Sequence, residues 1–215
     1  MAKDFPFPVV NDPNDLGTLQ MWDRDVYADL LACREGRMSG AAFDAKYRYT
    51  AAIMALDMTG FTRSSMRQGD LASLLRIVDV HRVCLPVFRE FRTAQVRAFA
   101  DDLSATFDDP GRALACAFEL HRRVGAYNAL LPPGGNPAQV CIGLGYGGVY
   151  RLGPDRAMGK EMNQASKLGE DIAQGGETLV TEGFRAAVAT VPGCRFTPRT
   201  HEEAKFPYFQ AFCDE

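Results

Sequence analysis

Two acidic sites in the sequence stand where the chain turns after an apolar run. Asp57 ends the run 49–57 and is followed by MTGFT, in which Gly60 lets the backbone approach a ligand closely. Asp101 and Asp102 stand between two short apolar segments. Hard cations such as Mg²⁺ and Mn²⁺ prefer carboxylate oxygens, and free N–H groups at a helix start bind anions. Together these residue types suggest a two-metal site for a phosphorylated ligand, although each acidic residue alone is more often a strand-end cap or part of an ordinary turn.

The hydrophobic pattern predicts the elements that position these carboxylates. Residues 49–57 have the length of a buried strand, and residues 70–92 have apolar side chains at helical spacing, with a kink expected at Pro86. A hairpin is predicted next, with the acidic pair at its tip. Further elements follow: a helix from Asp109-Pro110, a Gly-rich hairpin at 138–153, a helix at 159–176, a strand and helix at 177–184, and strands at 194–198 and 206–212. The order β, α, β, β, α, β with additions predicts a ferredoxin-like α+β fold.

Residues 1–46 are expected to be an N-terminal extension with one helix, and residues 47–215 the main domain. Three prolines disfavour regular helix before residue 18, whereas residues 18–36 carry apolar side chains at helical spacing. The free apolar face of this helix could pack on the domain or on a partner subunit, and both arrangements remain open.

Composition argues against several classes of protein. The 215 residues carry a net charge of −3 and are 47% hydrophobic, which suits a globular chain and not a general nucleic-acid or membrane-surface binder. With no apolar window long enough to span a membrane and no leader-like N-terminus, the chain is expected to be soluble and cytoplasmic. The six cysteines are scattered without a C-x-x-C pair, so no disulfide framework is expected. The three histidines are too dispersed to suggest a metal cluster, and those in helical patterns are expected to be structural.

Four segments resemble the class III adenylate/guanylate cyclase family, in the family's order over about residues 50–190. They are AAIMALDMTGFT, VRAFADDLSATF, VCIGLGYGGV and AMGKEMNQASKLGEDIAQGGETLVTEGF. The resemblance implies that residues 47–215 form a nucleotidyl cyclase catalytic domain. The implied reaction is attack of a ribose 3′-oxygen on the α-phosphorus of a nucleoside triphosphate, which releases pyrophosphate and a 3′,5′-cyclic nucleotide.

The resemblance also implies the ligands of two divalent metal ions. Asp57 and Asp101 would bridge both ions, and the Met58 carbonyl would be a further ligand. Backbone N–H groups around Phe61 and Thr62 would hold the β- and γ-phosphates. In this alignment the residue before the second aspartate is alanine where glycine is usual, and the residue after it occupies a variable position.

The helix predicted at 159–176 resembles the part of the family site that a second subunit supplies. There an asparagine is followed four positions later by a basic residue, usually arginine, and Asn163 and Lys167 have this spacing on one helix face. Asn163 would orient the ribose, and Lys167 would meet the charge that develops on the α-phosphate. Lysine keeps the charge of arginine but lacks its bidentate fork. A site shared in this way implies a two-fold symmetric homodimer.

Two positions depart from the purine cyclases of the family. The base-reading residue four positions before Asp101 is Arg97, where ATP enzymes have lysine and GTP enzymes glutamate, and the one seven before Asn163 is Arg156. Arginine offers only donors and is bulkier than lysine. Uracil, a single ring with two carbonyl acceptors, therefore fits better than adenine, and cytosine and guanine fit less well.

This pattern resembles the pyrimidine cyclases of bacterial Pycsar antiphage systems. The resemblance implies UTP as substrate, cyclic UMP as product, Mn²⁺ as the metal with Mg²⁺ as the alternative, and a separate effector that responds to the product. No nucleic acid or membrane partner is implied.

Two other functions remain open. A purine cyclase, adenylate or guanylate, with an unusual base pocket would need the same metal site. A degenerate cyclase-like domain for dimerisation or nucleotide sensing is favoured by Ala100, by Lys167, and by Cys141, which aligns with a phosphate-contacting arginine of the family. The two metal aspartates and Asn163 count against the degenerate domain.

Overall fold

The structure is a computed structural model that describes residues 8–59, 69–133, 135–153 and 157–213. Within this part the helices are α1 (Pro13–Gly17), α2 (Arg24–Arg34), α3 (Gly40–Tyr47), α4 (Asp70–Glu90), α5 (Pro110–Ala129), α6 (Lys160–Ser166) and α7 (Glu182–Ala187). The strands are β1 (Arg48–Met58), β2 (Gln95–Phe99), β3 (Asp102–Phe107), β4 (Val140–Arg151), β5 (Ala157–Met158), β6 (Thr178–Thr181), β7 (Cys194–Arg199) and β8 (Tyr208–Cys213). A π-helical segment, Lys167–Ile172, directly continues α6.

The described chain divides into two compact units. The larger is built from residues 50–147 and 160–215, and the smaller from residues 1–49 and 148–159, each without the undescribed positions. The main sheet has the strand order β2-β3-β1-β4-β6-β8-β7. β1 pairs antiparallel with β3, and β4 pairs parallel with β6. The first four strands have the order of a ferredoxin-like unit, which confirms the predicted α+β fold.

Side chains alternate along β1 between two covered faces of the sheet. Met54 and Leu56 are buried in the core that includes residues of α4 and α5. Ile53 and Ala55 are equally buried and point the other way. On that second face a Cβ added to Gly169 would lie 2.5 Å from the Ala55 carbonyl oxygen, so the π-helical segment lies directly on the backbone of β1.

The glycines of β4 serve the same close approach. A Cβ added to Gly143 would lie only 2.0 Å from the Ala165 carbonyl oxygen, and one added to Gly145 would lie 2.8 Å from the Glu161 carbonyl oxygen. Ile142 and Leu144, which alternate with these glycines, point into the core of the opposite face. The Gly-rich strand of the sequence is therefore a packing surface for α6, because any side chain at these positions would push the helix away.

The smaller unit has its own apolar cluster around Val26, Phe43 and Leu152. Residues 1–46 are predicted to contain one helix, at 18–36. The described part of this region instead contains α1, α2 and nearly all of α3, and α2 begins only at Arg24. Asp12 and Ser39 explain the additional starts, since their side chains cap α1 and α3. The single-helix prediction was therefore wrong, and the expectation of no regular helix before residue 18 missed α1.

Local details of the larger unit agree with the sequence or correct it. Asp109 caps α5 and accepts a backbone N–H at 2.7 Å, as predicted. His121 Nε2 lies 3.0 Å from Thr178 Oγ1, and burial lowers the pKa of His121 to about 4, which suits a structural histidine. Cys194 and Cys213 form a disulfide between β7 and β8, contrary to the expectation from cysteine spacing. No helix among the described residues is long and apolar enough to cross a membrane.

The contact between Gly143 and α6 gives a stability prediction. Gly143→Ala should lower the free energy of unfolding by about 2 kcal/mol or more, because the new methyl group meets backbone atoms that cannot move aside cheaply. Gly125→Ala in α5 is the matched control, since its added Cβ would meet nothing within 4 Å and alanine favours a helix. Urea unfolding of both variants provides the measurement, and equal effects would contradict the close packing.

Candidate active site

The register of β1 against β3 brings three carboxylates together. Leu56 pairs with Leu103 in this antiparallel ladder, so Asp57 and Asp102 adjoin the same pair from opposite strands. Asp101, the residue before Asp102, lies in the turn between β2 and β3. One carboxylate oxygen of each aspartate lies within 4.8 Å of those of the other two. Asp57 thus meets Asp101 and Asp102, which are distant from it in sequence, because all three lie at the same end of the β1–β3 ladder.

Backbone geometry around the cluster is unusual at the hairpin tip. Ala100 has φ of 52°, the left-handed conformation that favours glycine, which is the usual family residue at this position in the alignment. At the other side of the cluster Met58 ends β1 and is buried. The next N–H, of Thr59, donates to the Gln139 carbonyl at 2.9 Å and ties the end of β1 to the residue before β4.

The electrostatics of the cluster favour its protonated forms. Burial raises the pKa of Asp57 to about 7, and the negative charges of Asp101, Asp102 and Glu170 act in the same direction. Burial also raises the pKa of Asp102 to about 6, with Glu170 and Asp101 adding to the shift. These carboxylates therefore lie in a site where charge is costly without a counter-ion.

A divalent cation fits this arrangement. The cluster offers one oxygen from each of three half-buried aspartates within a space of ligand dimensions. Oxygen donors of this type suit Mg²⁺ and Mn²⁺. A cation held by Asp57, Asp101 and Asp102 would offset the burial and the repulsion that raise the pKa values of Asp57 and Asp102. The third carboxylate was treated as a variable position in the sequence alignment, and its adjacency to Asp101 was the signal that could have identified it.

Asn163 lies on α6 and Lys167 begins its π-helical continuation. Neither belongs to the carboxylate cluster of Asp57, Asp101 and Asp102. Asn163 is exposed. Lys167 forms an ion pair with Asp171 at 2.9 Å and a close one with Glu203, in the connection between β7 and β8. Hydrogen bonds from Lys167 to Glu203 and Asp171 raise the pKa of the lysine.

The described partners of Lys167 are separate from the carboxylate cluster. Lys167 pairs with Asp171 and with Glu203, which lies in the connection that leads to β8. β8 is three strands from β1 in the sheet order, or about 14 Å at the usual strand spacing. Among the described residues no ion pair joins Lys167 to Asp57, Asp101 or Asp102.

Arg97 lines a small cavity beside the carboxylate cluster. It pairs with Ser104 across the hairpin, and its guanidinium lies 5.6 Å from the centre of the Phe99 ring. The cavity has a volume of about 190 Å³ and is also bordered by Asp102 and Glu170. Arg97 and Glu170 of the π-helical segment thus border one cavity, which sequence reasoning missed because only the fold brings the two elements together.

Cys141 takes a structural position in β4. Its Sγ lies 2.9 Å from Thr59 Oγ1 and 3.1 Å from the Ala173 carbonyl oxygen. The thiol is buried, and burial raises its pKa. It therefore does not replace the cationic group that the aligned family arginine would supply. The predicted positions Phe61, Thr62 and Arg156 lie outside the described residues.

Comparison with solved structures gives the class of fold. The adenylyl cyclase CyaB from P. aeruginosa superposes with a TM-score of 0.68 and 16% identity over 78% of this chain and 96% of that chain. The dimeric guanylyl cyclase domain of RhoGC from Blastocladiella emersonii gives 0.63 and 16% over 77% and 96%. The guanylate cyclase domain of RhGC from Catenaria anguillulae, solved with GTP, gives 0.64 and 15% over 78% and 99%.

The chain therefore has the fold of adenylyl and guanylyl cyclase domains. No family model matches the sequence, and no curated protein matches it either. The likeness is one of structure, and the identities are too low to carry more than the fold.

The raised pKa of Asp57 gives a prediction for the metal-free protein. The folded carboxyl holds its proton up to about pH 7, whereas the unfolded one loses it near pH 4, so the free energy of unfolding falls as pH rises between these values. Asp57→Asn should therefore raise the free energy of unfolding at pH 8 in EDTA, by on the order of 2 kcal/mol, and should have little effect near pH 4.

Asp108→Asn, at an exposed position after β3, is the control and should change stability little at either pH. Added Mn²⁺ should stabilise the wild type and not Asp57→Asn, because only a ligand that binds the folded state raises stability. Urea unfolding with and without Mn²⁺ measures both effects. A destabilised Asp57→Asn at pH 8 in EDTA would contradict the account.

Proposed function

We propose that this chain is a nucleotidyl cyclase that converts a nucleoside triphosphate into a 3′,5′-cyclic nucleotide and pyrophosphate. The carboxylate cluster of Asp57, Asp101 and Asp102 carries this proposal. Its three side chains lie together at the end of the paired strands β1 and β3, in a fold shared with cyclase domains. Carboxylates in this geometry suit metal-assisted phosphoryl transfer. A pair of divalent ions, when bound, would lower the pKa of the ribose 3′-hydroxyl and neutralise charge on the triphosphate.

The residues of the chain would supply binding and orientation. Asp57 and Asp101 would hold the ions, Asp102 would add a third carboxylate, and the Met58 carbonyl would be a further ligand. Asn163 is exposed and free to hydrogen-bond the ribose. Such positioning accounts for most of the catalysis in phosphoryl transfer, since no covalent enzyme intermediate is required.

The remaining groups would contact the triphosphate. Backbone N–H groups of Phe61 and Thr62 would hold the β- and γ-phosphates. Lys167 would stabilise charge on the α-phosphate, and it must first exchange its present carboxylate partners, Glu203 and Asp171, for that contact. The ion pairs are solvent-accessible, and such pairs cost little to break.

The proposal includes a homodimer with composite sites. Lys167 is held by Asp171 and Glu203 of its own chain and forms no described ion pair with Asp57, so a second copy is the simplest source of a cation for the carboxylates. A two-fold axis would build two equivalent sites. One similar structure, the RhoGC domain, is a non-canonical dimeric guanylyl cyclase domain, and the same domain has also been solved as a monomer.

UTP is the proposed substrate, and Arg97 is the reason. Its guanidinium borders a cavity of about 190 Å³, a size that favours one ring, and it donates hydrogen bonds without accepting any. Arg156 would be the second base-reading residue. The proposed product, cyclic UMP, would act in antiphage defence on a separate effector, and Mn²⁺ would be the preferred ion.

A purine cyclase is the second candidate, and Glu170 is the observation that favours it. Its carboxylate borders the same cavity as Arg97 and would accept a hydrogen bond from an exocyclic amine or a ring N–H of a purine. The similar RhoGC and RhGC domains are guanylyl cyclase domains, and the RhGC domain was solved with GTP.

A product assay with each of the four nucleoside triphosphates separates these candidates. With Mn²⁺, and separately with Mg²⁺, UTP should give cyclic UMP as the main product, because Arg97 pairs with carbonyl acceptors. Arg97→Ala should reduce the preference for UTP over the other nucleotides. Conversion of ATP or GTP alone would identify a purine cyclase, and no conversion at all would favour the degenerate dimerisation or sensing domain.

Mixing inactive variants tests the composite site. Asp57→Asn and Asn163→Ala should each abolish most activity alone. Co-expressed in equal amounts, they should restore about a quarter of the wild-type rate, because half of randomly formed dimers contain one intact site of two. Asp57→Asn mixed with Asp101→Asn is the control and should restore none, since both changes fall on the same half-site. Failure of the first pair to complement would refute the shared site.

A further inference from the structure

Glu161 is a half-buried carboxylate two residues before Asn163 on α6. Its Oε2 accepts the N–H of Tyr146 at 3.2 Å and the hydroxyl of Thr181 at 3.0 Å. Tyr146 belongs to β4 and Thr181 ends β6, so a single side chain joins the helix to two neighbouring strands of the sheet.

The surroundings of Glu161 are shaped to its side chain. A Cβ added to Gly147 would lie 2.8 Å from Glu161 Cγ, and one added to Gly183 would lie 3.6 Å from its Oε1. A Cβ at Gly145 would meet the Glu161 backbone carbonyl at 2.8 Å and its Oε2 at 3.3 Å. Glycines on β4 and at the start of α7 therefore leave the space in which the carboxylate lies.

The hydrogen bonds of Glu161 to β4 and β6 also bear on the orientation of α6. α6 has only seven residues, Lys160–Ser166, and it passes directly into π-helical geometry. A helix so short is not stable by itself, so its orientation depends on contacts with the sheet. Asn163 is the second residue after Glu161, and a rotation of the helix about its axis would move the Asn163 amide directly.

We propose that Glu161 is a positioning residue for the cyclase reaction: its hydrogen bonds to β4 and β6 fix α6 and so orient Asn163 toward the ribose of the substrate. The inference rests on the proposed function for its catalytic part, whereas the anchoring itself is a property of the fold. No motif of the sequence assigned a role to this glutamate, because one partner lies 15 residues before it and the other 20 residues after it.

Three substitutions at this position separate anchoring from charge. Glu161→Ala removes both hydrogen bonds and should lower kcat about tenfold to a hundredfold with little change in KM, since misplacement of a positioning group costs rate in this range. Glu161→Gln should retain kcat within about threefold, because one amide oxygen can accept both hydrogen bonds. Glu161→Asp keeps the charge but is one methylene too short, and should be impaired like the alanine variant.

The double variant with Asn163→Ala identifies the route of the effect. If Glu161 acts through Asn163, Glu161→Ala should cost little further kcat in the Asn163→Ala background, as coupled residues are not additive. Glu182→Ala, at an exposed position on α7, is the control and should leave kcat unchanged. Independent, multiplying effects of the two changes would overturn the proposal, and so would a Glu161→Gln variant as poor as Glu161→Asp.

Amide hydrogen exchange of α6 gives a readout that does not need activity. Protection of residues 160–167 should fall in Glu161→Asp and persist in Glu161→Gln. Unchanged protection in Glu161→Asp would overturn the anchoring. If protection falls but Asn163→Ala has no effect on the rate, the error lies in the role proposed for Asn163, and the anchor stands.

Discussion

The antiparallel ladder between β1 and β3 is the constraint on which the candidate site depends. Its register sets Leu56 opposite Leu103 and thereby places Asp57 beside the hairpin that carries Asp101 and Asp102. The chain gathers like charges where burial makes them costly, and the raised pKa values of Asp57 and Asp102 express that cost. Groups arranged against their own electrostatics are characteristic of functional sites, since stability alone would not select them.

The second constraint is the near-contact of helix and strand backbones on the opposite face. Gly143 and Gly169 lack the side chains that would separate α6 and its π-helical continuation from β4 and β1. π-helical geometry is rare and is frequent at functional sites. Here it carries Lys167 at its start and Glu170, which contributes to the electrostatics of the carboxylate cluster, three residues later. Strand glycines and helix geometry together determine where the charges of this segment point.

Much of this architecture was predictable because it is local. The burial pattern of β1, the cap at Asp109 and the hairpin around Asp101 each follow from short stretches of sequence. The disulfide was not predictable, because Cys194 and Cys213 become neighbours only when β7 and β8 pair. For the same reason the sequence could not show Glu170 beside Arg97. The short helices α1 and α3 were missed because capping residues, and not periodicity, define them.

The ion pairs of Lys167 bear on the proposal of a second subunit. A lysine that reached Asp57, Asp101 and Asp102 of its own chain would offset their charge and compete with metal ions for them. The fold instead pairs Lys167 with Asp171 and Glu203. The carboxylate cluster stays available to divalent cations, and the lysine stays charged. In the proposed two-fold dimer, the carboxylate cluster and the lysine would meet only across the subunit boundary. A nucleotide bound there would contact both groups.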